Sequence, residues 1–170
     1  MRIASPHGNS TLWGCAVLSG LLSLAGCSSL KTNSEVYRED VVTEEGEPGY
    51  ITVQHCLIGF QGSVPSAARS QEEAEQLAQE LFEKAKAGAD FDQIVREHTD
   101  DSPPGIYQMA NNGFESDMSS RIPSKHVYAR SGMVAAFGDV GFQLDVGEIE
   151  IAPYDATTSP FGWHIIKRIK

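Results

Sequence analysis

Hydrophobic and β-branched residues dominate the stretch from Tyr50 to Phe60, which predicts a strand buried within a sheet. Because successive side chains of a strand point to opposite faces, His55 shares a face with Val53 and Leu57. Cys56 then points to the other face, which argues against a nucleophilic pair of His55 and Cys56. A loop rich in small residues follows and ends the strand.

A helical period predicts two helices after this strand. The apolar positions of the first helix recur at 3.6-residue spacing: Ala74, Leu77, Ala78, Leu81, Phe82 and Ala85. Ser70 and Glu73 form a capping box at its start, and Gly88 is a natural end. Asp90 is placed to cap a second, shorter helix, which the proline-rich segment Asp100–Gly105 ends.

The rest of the chain is predicted to add three strands and a third helix. Ile106–Ala110 has the composition of a short strand, and Val134–Leu144 repeats with a helical period. Glu148–Ala152 and Gly162–Ile169 are closing strands, which we expect to pair antiparallel around the loop between them.

Residues 111–132 interrupt this pattern. They are rich in Asn, Ser, Gly and Arg and show no clear period, so we interpret them as an insertion or flap. A structureless loop of this length is unusual in a small domain unless it has a role. The predicted order of elements is therefore β-α-α-β-α-β-β, which indicates an α+β domain built on one sheet.

The beginning of the chain has the pattern of an export signal. Leu12–Ala25 is an apolar run too short to span a membrane but suited to a signal peptide, predicted here as residues 1–26. It ends in Leu24-Ala25-Gly26-Cys27, which resembles the lipobox of bacterial lipoproteins. The resemblance implies a lipid on Cys27, which would become the mature N-terminus. An ordinary secretory signal with an incidental cysteine is the alternative.

Composition and charge narrow the function. Residues 27–49 are polar and acidic, and we expect a flexible tether there because so few apolar residues cannot offset the entropy of ordering. The formal charge of −10 argues against binding to nucleic acid or anionic lipid. With Cys15 in the signal and Cys27 lipidated, only Cys56 remains, so no intrachain disulfide is expected.

One candidate pocket emerges from the pattern alone. Met133 and Phe137 are four residues apart and share one face of the third helix, and His164 lies on the last strand. An apolar shelf beside an imidazole is either a ligand pocket or ordinary core. The spacing of His55, His98, His126 and His164 matches no metal-binding motif, so neither a metal nor a cofactor is predicted.

Four ordered segments resemble those of the parvulin-type peptidyl-prolyl cis-trans isomerases. They are V-Q-H-C-L-I, the helix pair ending in E-H-T-D-D-S, the run M-V-A-A-F-G-D-V-G-F-Q-L-D-V-G-E, and the closing P-F-G-W-H-I-I-K-R. The resemblance implies a parvulin/FKBP-like domain over residues 50–170, with the insertion at 111–132. That fold has one four-stranded, mostly antiparallel sheet with three to four flanking helices.

The resemblance also implies two sets of site residues. The catalytic set is His55, Asp101, Ser159 and His164. The proline-binding set is Tyr107, Met133, Phe137 and Phe161. Two features differ from those of many family members. Val134 stands where glutamine is common. The loop at 59–70 contains only one basic residue, Arg69, whereas members that recognise phosphorylated substrates carry a basic cluster there.

The expected function is therefore isomerisation of Xaa-Pro bonds in unfolded or exported polypeptides, without preference for phosphorylated substrates. The expected place is the cell envelope, with a monomer held by a lipid anchor at the periplasmic face of the outer membrane if the cell has two membranes. A non-catalytic chaperone or binding module on the same fold is the alternative, and an envelope lipoprotein that serves only contacts is a more remote one.

Overall fold

The computed structural model of the chain describes residues 41–170. The predicted signal peptide, Cys27 and most of the predicted tether therefore lie outside the described residues. The elements are β1 (Tyr50–Ile58), α1 (Gln71–Lys86), α2 (Phe91–His98), β2 (Ile106–Ala110), β3 (Val127–Ala129), α3 (Ala135–Gln143), β4 (Ile149–Ala152) and β5 (Trp163–Arg168). Within this part of the chain, no helix has both the length and the apolar character that crossing a bilayer requires.

The helix starts are those that the sequence predicts. The Ser70 hydroxyl accepts a hydrogen bond from the backbone N–H of Glu73, and the Glu73 carboxylate accepts one from the N–H of Ser70. This capping box satisfies two donors that a helix start otherwise leaves unpaired. Asp90 caps α2 in the same manner, by accepting from the N–H groups of Asp92 and Gln93.

The sheet has the order β3-β2-β1-β5-β4. β1 lies at its centre and all nine of its residues are buried, as its continuous hydrophobicity predicts. β1 pairs antiparallel with β2 and β5, and β4 pairs antiparallel with β5. The α+β class and the mostly antiparallel pairing are confirmed, but the prediction of four strands is wrong: the described sheet has five, because β3 adds to β2 in parallel.

The two faces of β1 serve different layers. Cys56 and Ile58 pack with α1 and α2 in one core cluster. Ile51 and Val53 pack with Phe137 of α3 in a second cluster on the other face. The helices therefore cover both faces of the sheet, and the predicted alternation of side chains along β1 is confirmed.

The predicted flap at residues 111–132 is instead ordered structure. It contains β3 and two short 3-10 helices, at Pro123–Lys125 and Arg130–Gly132. Asp117 and Val127 exchange two backbone hydrogen bonds of 2.9 and 2.8 Å, which fold the segment back on itself. The segment extends the sheet at its β2 edge, so the predicted element order lacked one strand.

The folded part of the chain begins before the predicted boundary at residue 49. Val42 and Pro48 form a β-bridge, and the N–H of Gly49 donates to the carbonyl of Val41. Arg130 holds this turn, since its guanidinium donates to the Glu47 carboxylate at 2.9 Å. The predicted tether is therefore too long at its C-terminal end. Glu47 pairs with the half-buried Arg130, a partner that the local sequence does not show.

Candidate active site

Two imidazoles meet on the α3 face of the sheet. β1 and β5 are antiparallel neighbours, with Leu57 opposite His164 and Ile166 opposite His55. This register places the two histidines diagonally across the strand pair, within reach of each other. Their Nδ1 atoms are 3.3 Å apart, and the rings are stacked with an interplanar angle of 14°. The histidine pair implied by the family resemblance is thus brought together by the fold.

Asp101 extends this pair into a chain of hydrogen bonds. Its Oδ2 lies 3.1 Å from the Nε2 of His55 and accepts a 2.8 Å hydrogen bond from the Tyr107 hydroxyl. The loop that carries Asp101 is fastened to β1, because the N–H of Asp100 donates to the carbonyl of Leu57. The N–H of His55 in turn donates to the carbonyl of Gly105.

The protonation states follow from this chain. The hydrogen bond from His55 holds the pKa of Asp101 well below its ordinary value, so the carboxylate is ionised at pH 7 and can only accept. Burial lowers the pKa of His164 from 6.5 to about 3, and the charge of His55 adds to this decrease. His164 is therefore neutral at pH 7. Burial raises the pKa of Tyr107, and its bond to Asp101 does so further, which keeps the phenol protonated.

The contact with Asp101 fixes the position of one proton in this chain. Because Asp101 accepts, the Nε2 of His55 carries a hydrogen. One of the two Nδ1 atoms donates to the other across 3.3 Å. The Nε2 of His164 is buried and has no hydrogen-bond partner among the described residues. A second proton on the His164 ring would bury a charge, which agrees with the direction of its pKa shift.

A cavity of about 330 Å³ opens above the histidine pair. Phe137 is buried, and its ring centroid is 5.0 Å from that of His55 and 5.6 Å from that of His164. Met133, Tyr107 and Phe161 also line the cavity, as the family resemblance implies. Phe161 is exposed and stands at the opening, so the cavity is reachable from solvent.

The Ser159 hydroxyl bonds to the backbone and not to His164. Its hydroxyl is fully buried and donates a 2.8 Å hydrogen bond to the carbonyl of Gly162, three residues later. It also lies outside the lining of the cavity. The predicted role of orienting His164 is wrong in this structure: a matching position along the chain does not determine where a hydroxyl points. Ser159 instead closes the turn that precedes β5.

The sequence analysis missed residues that hold the outer wall of the cavity. Val64 and Pro65 line it from the loop after β1. Arg69 holds this loop in place, because its guanidinium donates to the Asp100 carboxylate and to the carbonyl of Gly59. Asp100 also accepts from the N–H of Gly59 at 2.8 Å. The sequence signal for this contact is a single basic residue, Arg69, in a loop without acidic residues, together with two adjacent aspartates after α2.

No serine, threonine or cysteine side chain lines the cavity. Cys56 lies on the opposite face of β1, and burial raises the pKa of its thiol to about 12, so it is not a thiolate at pH 7. Within residues 41–170, no three His, Cys, Asp or Glu side chains are gathered as metal ligands. The chemistry available here is shape, apolar contact and a few hydrogen bonds.

Comparison with known proteins identifies the family. The model of the PPIC-type PPIase domain matches residues 39–169. The chain belongs to this family. This PPIC-type chain is 31% identical over 117 residues to the chaperone SurA of Pseudomonas fluorescens, an alignment that covers 69% of this chain and 22% of the relative. The chain thus spans about a fifth of the length of that relative.

Two solved structures show that the PPIC-type chain has the parvulin fold. The solution structure of TbPIN1 superimposes with a TM-score of 0.52 at 19% identity, over 72% of this chain and 98% of TbPIN1. The peptidyl-prolyl isomerase ESS1 from Candida albicans gives a TM-score of 0.51 at 19% identity, over 76% of this chain and 66% of ESS1. At this identity the likeness concerns the fold alone.

Proposed function

We propose that the protein is a peptidyl-prolyl cis-trans isomerase that acts on Xaa-Pro bonds of unfolded or exported polypeptides. The observation that carries the proposal is the ring of Phe137 packed against both imidazoles at the floor of an accessible cavity. Membership of the PPIC-type family supports the same activity. Because the chain spans 22% of the SurA relative, that protein's name supports only the choice of polypeptides as substrates.

Isomerisation of an Xaa-Pro bond requires no nucleophile. Rotation about the Xaa-Pro bond breaks amide resonance over a barrier of roughly 20 kcal/mol, and no covalent bond is cut. The enzyme has only to bind the twisted amide more tightly than either planar form. The twisted amide has lost its charge-separated resonance form, so an apolar site penalises it less than the planar amide. A tenfold rate increase needs only about 1.4 kcal/mol of such preference.

Each site residue has a role in this proposal. Met133, Phe137 and Phe161 hold the proline ring by apolar contact. His55 and His164 fix the shape and polarity of the floor and do not act as general bases, and Asp101 and Tyr107 orient His55 from behind. This division follows from the lowered pKa of His164, which makes that ring a weak base, and from the hydrogen bonds that Asp101 accepts from His55 and Tyr107.

A second candidate is a binding module that holds proline-containing chains without turning them over. Val134 favours it, because this residue lines the cavity where many members of the family carry glutamine. A valine there supplies no hydrogen bond to a substrate carbonyl. Both candidates use the same cavity, so turnover distinguishes them.

Exchange spectroscopy on short Xaa-Pro peptides tests the proposal. With residues 41–170, the cis-trans exchange of peptides carrying Ala, Glu or Ser before proline should be faster than in buffer. A phosphoserine peptide should gain no preference, because Arg69, the only basic residue of the 59–70 loop, already pairs with Asp100. If every peptide exchanges at the buffer rate, the isomerase proposal fails and the binding module is the remaining candidate. If the phosphoserine peptide exchanges faster than the serine peptide, the predicted lack of phosphate recognition is wrong.

The lipid anchor belongs to the same proposal. Cys27 lies outside the described residues, and the support for its lipidation is the lipobox-like sequence before it. We expect Cys27→Ser to move the protein from the membrane fraction to the soluble fraction when it is expressed in a bacterium. Cys56→Ser is the matched control and should leave the protein with the membranes, since its thiol is buried in the core. Sedimentation of the Cys27→Ser protein with membranes would contradict the anchor.

A further inference from the structure

A second concave surface lies beside the cavity. We call it the β2 groove and define it by Pro104, Ile106 and Tyr107 on one side and by Pro123 and Tyr128 on the other. Its volume is about 560 Å³, within the range of about 300–1,000 Å³ that is usual for ligand sites. Its second wall comes from the segment at 111–132, which contains β3.

The groove adjoins the cavity. Tyr107 lines both, with its hydroxyl on Asp101 and its ring 5.5 Å from the ring of Tyr128. The loop after α2 also serves both sites, since it brings Asp101 to the cavity and Pro104 to the groove. A polypeptide whose proline occupies the cavity therefore has the groove next to it.

The groove selects for apolar side chains. No residue that lines it carries a formal charge. Ile106, one of the lining residues, is 43% exposed, and Ile122, which lies next to Pro123 but outside the lining, is 51% exposed. Large apolar side chains held in the open beside a ligand cavity are typical of a binding surface. The two tyrosine rings and the prolines are suited to flat contact with an aromatic or branched side chain.

We propose that the β2 groove binds an aromatic or large aliphatic side chain of the substrate polypeptide, outside the Xaa-Pro pair itself. The proposal rests on the proposed function, because its occupant is the same chain that the cavity holds. It makes the enzyme selective for prolines that lie near apolar residues. Such sequences are exposed in unfolded chains and are buried once folding is complete.

The test compares peptides that differ only in one distant side chain. Each peptide contains one Ala-Pro pair in a Gly/Ser context, with either Phe or Ser at two to four residues before or after the pair. Fluorescence anisotropy measures their binding to residues 41–170, and this readout does not depend on turnover. We expect at least one Phe peptide to bind about fourfold more tightly than its Ser counterpart, the factor that burial of about one methylene-equivalent contributes.

Ile106→Thr should remove most of this preference. Threonine keeps the β-branch that suits β2 but adds a hydroxyl to the groove. Val146→Thr is the matched control, because Val146 is 64% exposed on the turn after α3 and lines neither site. Exchange of a short Ala-Pro tetrapeptide should be the same in both variants, which separates this test from the test of the proposed function.

Three results would overturn the proposed role of the β2 groove. The first is equal binding of every Phe peptide and its Ser counterpart. The second is an equal effect of Ile106→Thr and Val146→Thr on the Phe preference. The third is a dimer, seen by sedimentation, that Ile106→Thr dissociates without changing peptide affinity, since the groove would then bind a second copy of the chain. If the tetrapeptide is not isomerised but the Phe peptides still bind more tightly, the proposed isomerase activity is rejected and the proposed role of the groove is kept.

Discussion

Replacing Phe137 by alanine is expected to reduce isomerisation to the buffer rate while leaving a folded, less stable domain. The side chain is 2% exposed and touches His55, Tyr107 and His164, so its removal opens the cavity floor and frees both imidazoles. Truncation of a buried phenylalanine destabilises a domain by about 3–5 kcal/mol. Urea unfolding measures the stability, and proline exchange below the unfolding transition measures the activity.

Phe142→Ala supplies the matched control on the same helix. Phe142 is also 2% exposed and belongs to the same core cluster, but it does not line the cavity. We expect a similar loss of stability with activity retained within about threefold, less than the tenfold that 1.4 kcal/mol represents. Phe137→Leu, which keeps apolar bulk, should recover stability and part of the activity. If Phe142→Ala inactivates the domain as fully as Phe137→Ala, then the loss reflects general loosening and Phe137 has no specific role.

The elements that sequence alone predicted are those whose signals are local. The capping box of Ser70 and Glu73 and the cap of Asp90 lie within one helical turn of what they stabilise. The continuous apolar run of β1 required a central position, and burial at that position is observed. In each case the residues that decide the structure are neighbours in the chain.

The missed strand depended on a distant partner. β3 has three residues, too few to show a period of two, and it joins the sheet through its parallel pairing with β2, about twenty residues earlier in the chain. Only Val127 of the three is fully buried, because β3 forms the edge of the sheet. The turn at 41–49 was missed for the same reason, since Glu47 is paired with Arg130, more than eighty residues away.

In the candidate site, too, some features follow from the sequence and others depend on contacts that it does not show. The fold brings His55, Asp101 and His164 into contact, as the family resemblance implies, because strand register and one loop determine where they lie. The resemblance placed Tyr107 in the cavity as an apolar residue but did not predict that its hydroxyl holds Asp101. It implied that the Ser159 hydroxyl orients His164, whereas this hydroxyl donates to the carbonyl of Gly162 within a turn. The position of a residue follows from sequence more readily than the partner of its polar atom.

Gly162→Ala is expected to destabilise the domain strongly, although it adds only a single methyl group. Gly162 has φ 138°, where side chains other than hydrogen are strained, and a Cβ there would lie 2.2 Å from the carbonyl oxygen of Ile58. This contact is with backbone, so the turn must move away from the end of β1. Phe161 at the cavity opening and His164 on β5 would move with it. We expect a loss of more than about 3 kcal/mol in unfolding free energy, from strain of about 1–3 kcal/mol plus the clash, together with reduced exchange activity.

Gly147→Ala separates the strain from the clash. Gly147 also has positive φ, at 93°, but a Cβ there meets no heavy atom within 4 Å. Its replacement should therefore cost only about 1–2 kcal/mol of left-handed strain and leave activity unchanged. The difference between the two variants measures how closely the turn before β5 must approach β1 to bring His164 against His55. Equal destabilisation by both would mean that this close approach is not required, and the histidine pair would then owe its geometry to strand register alone.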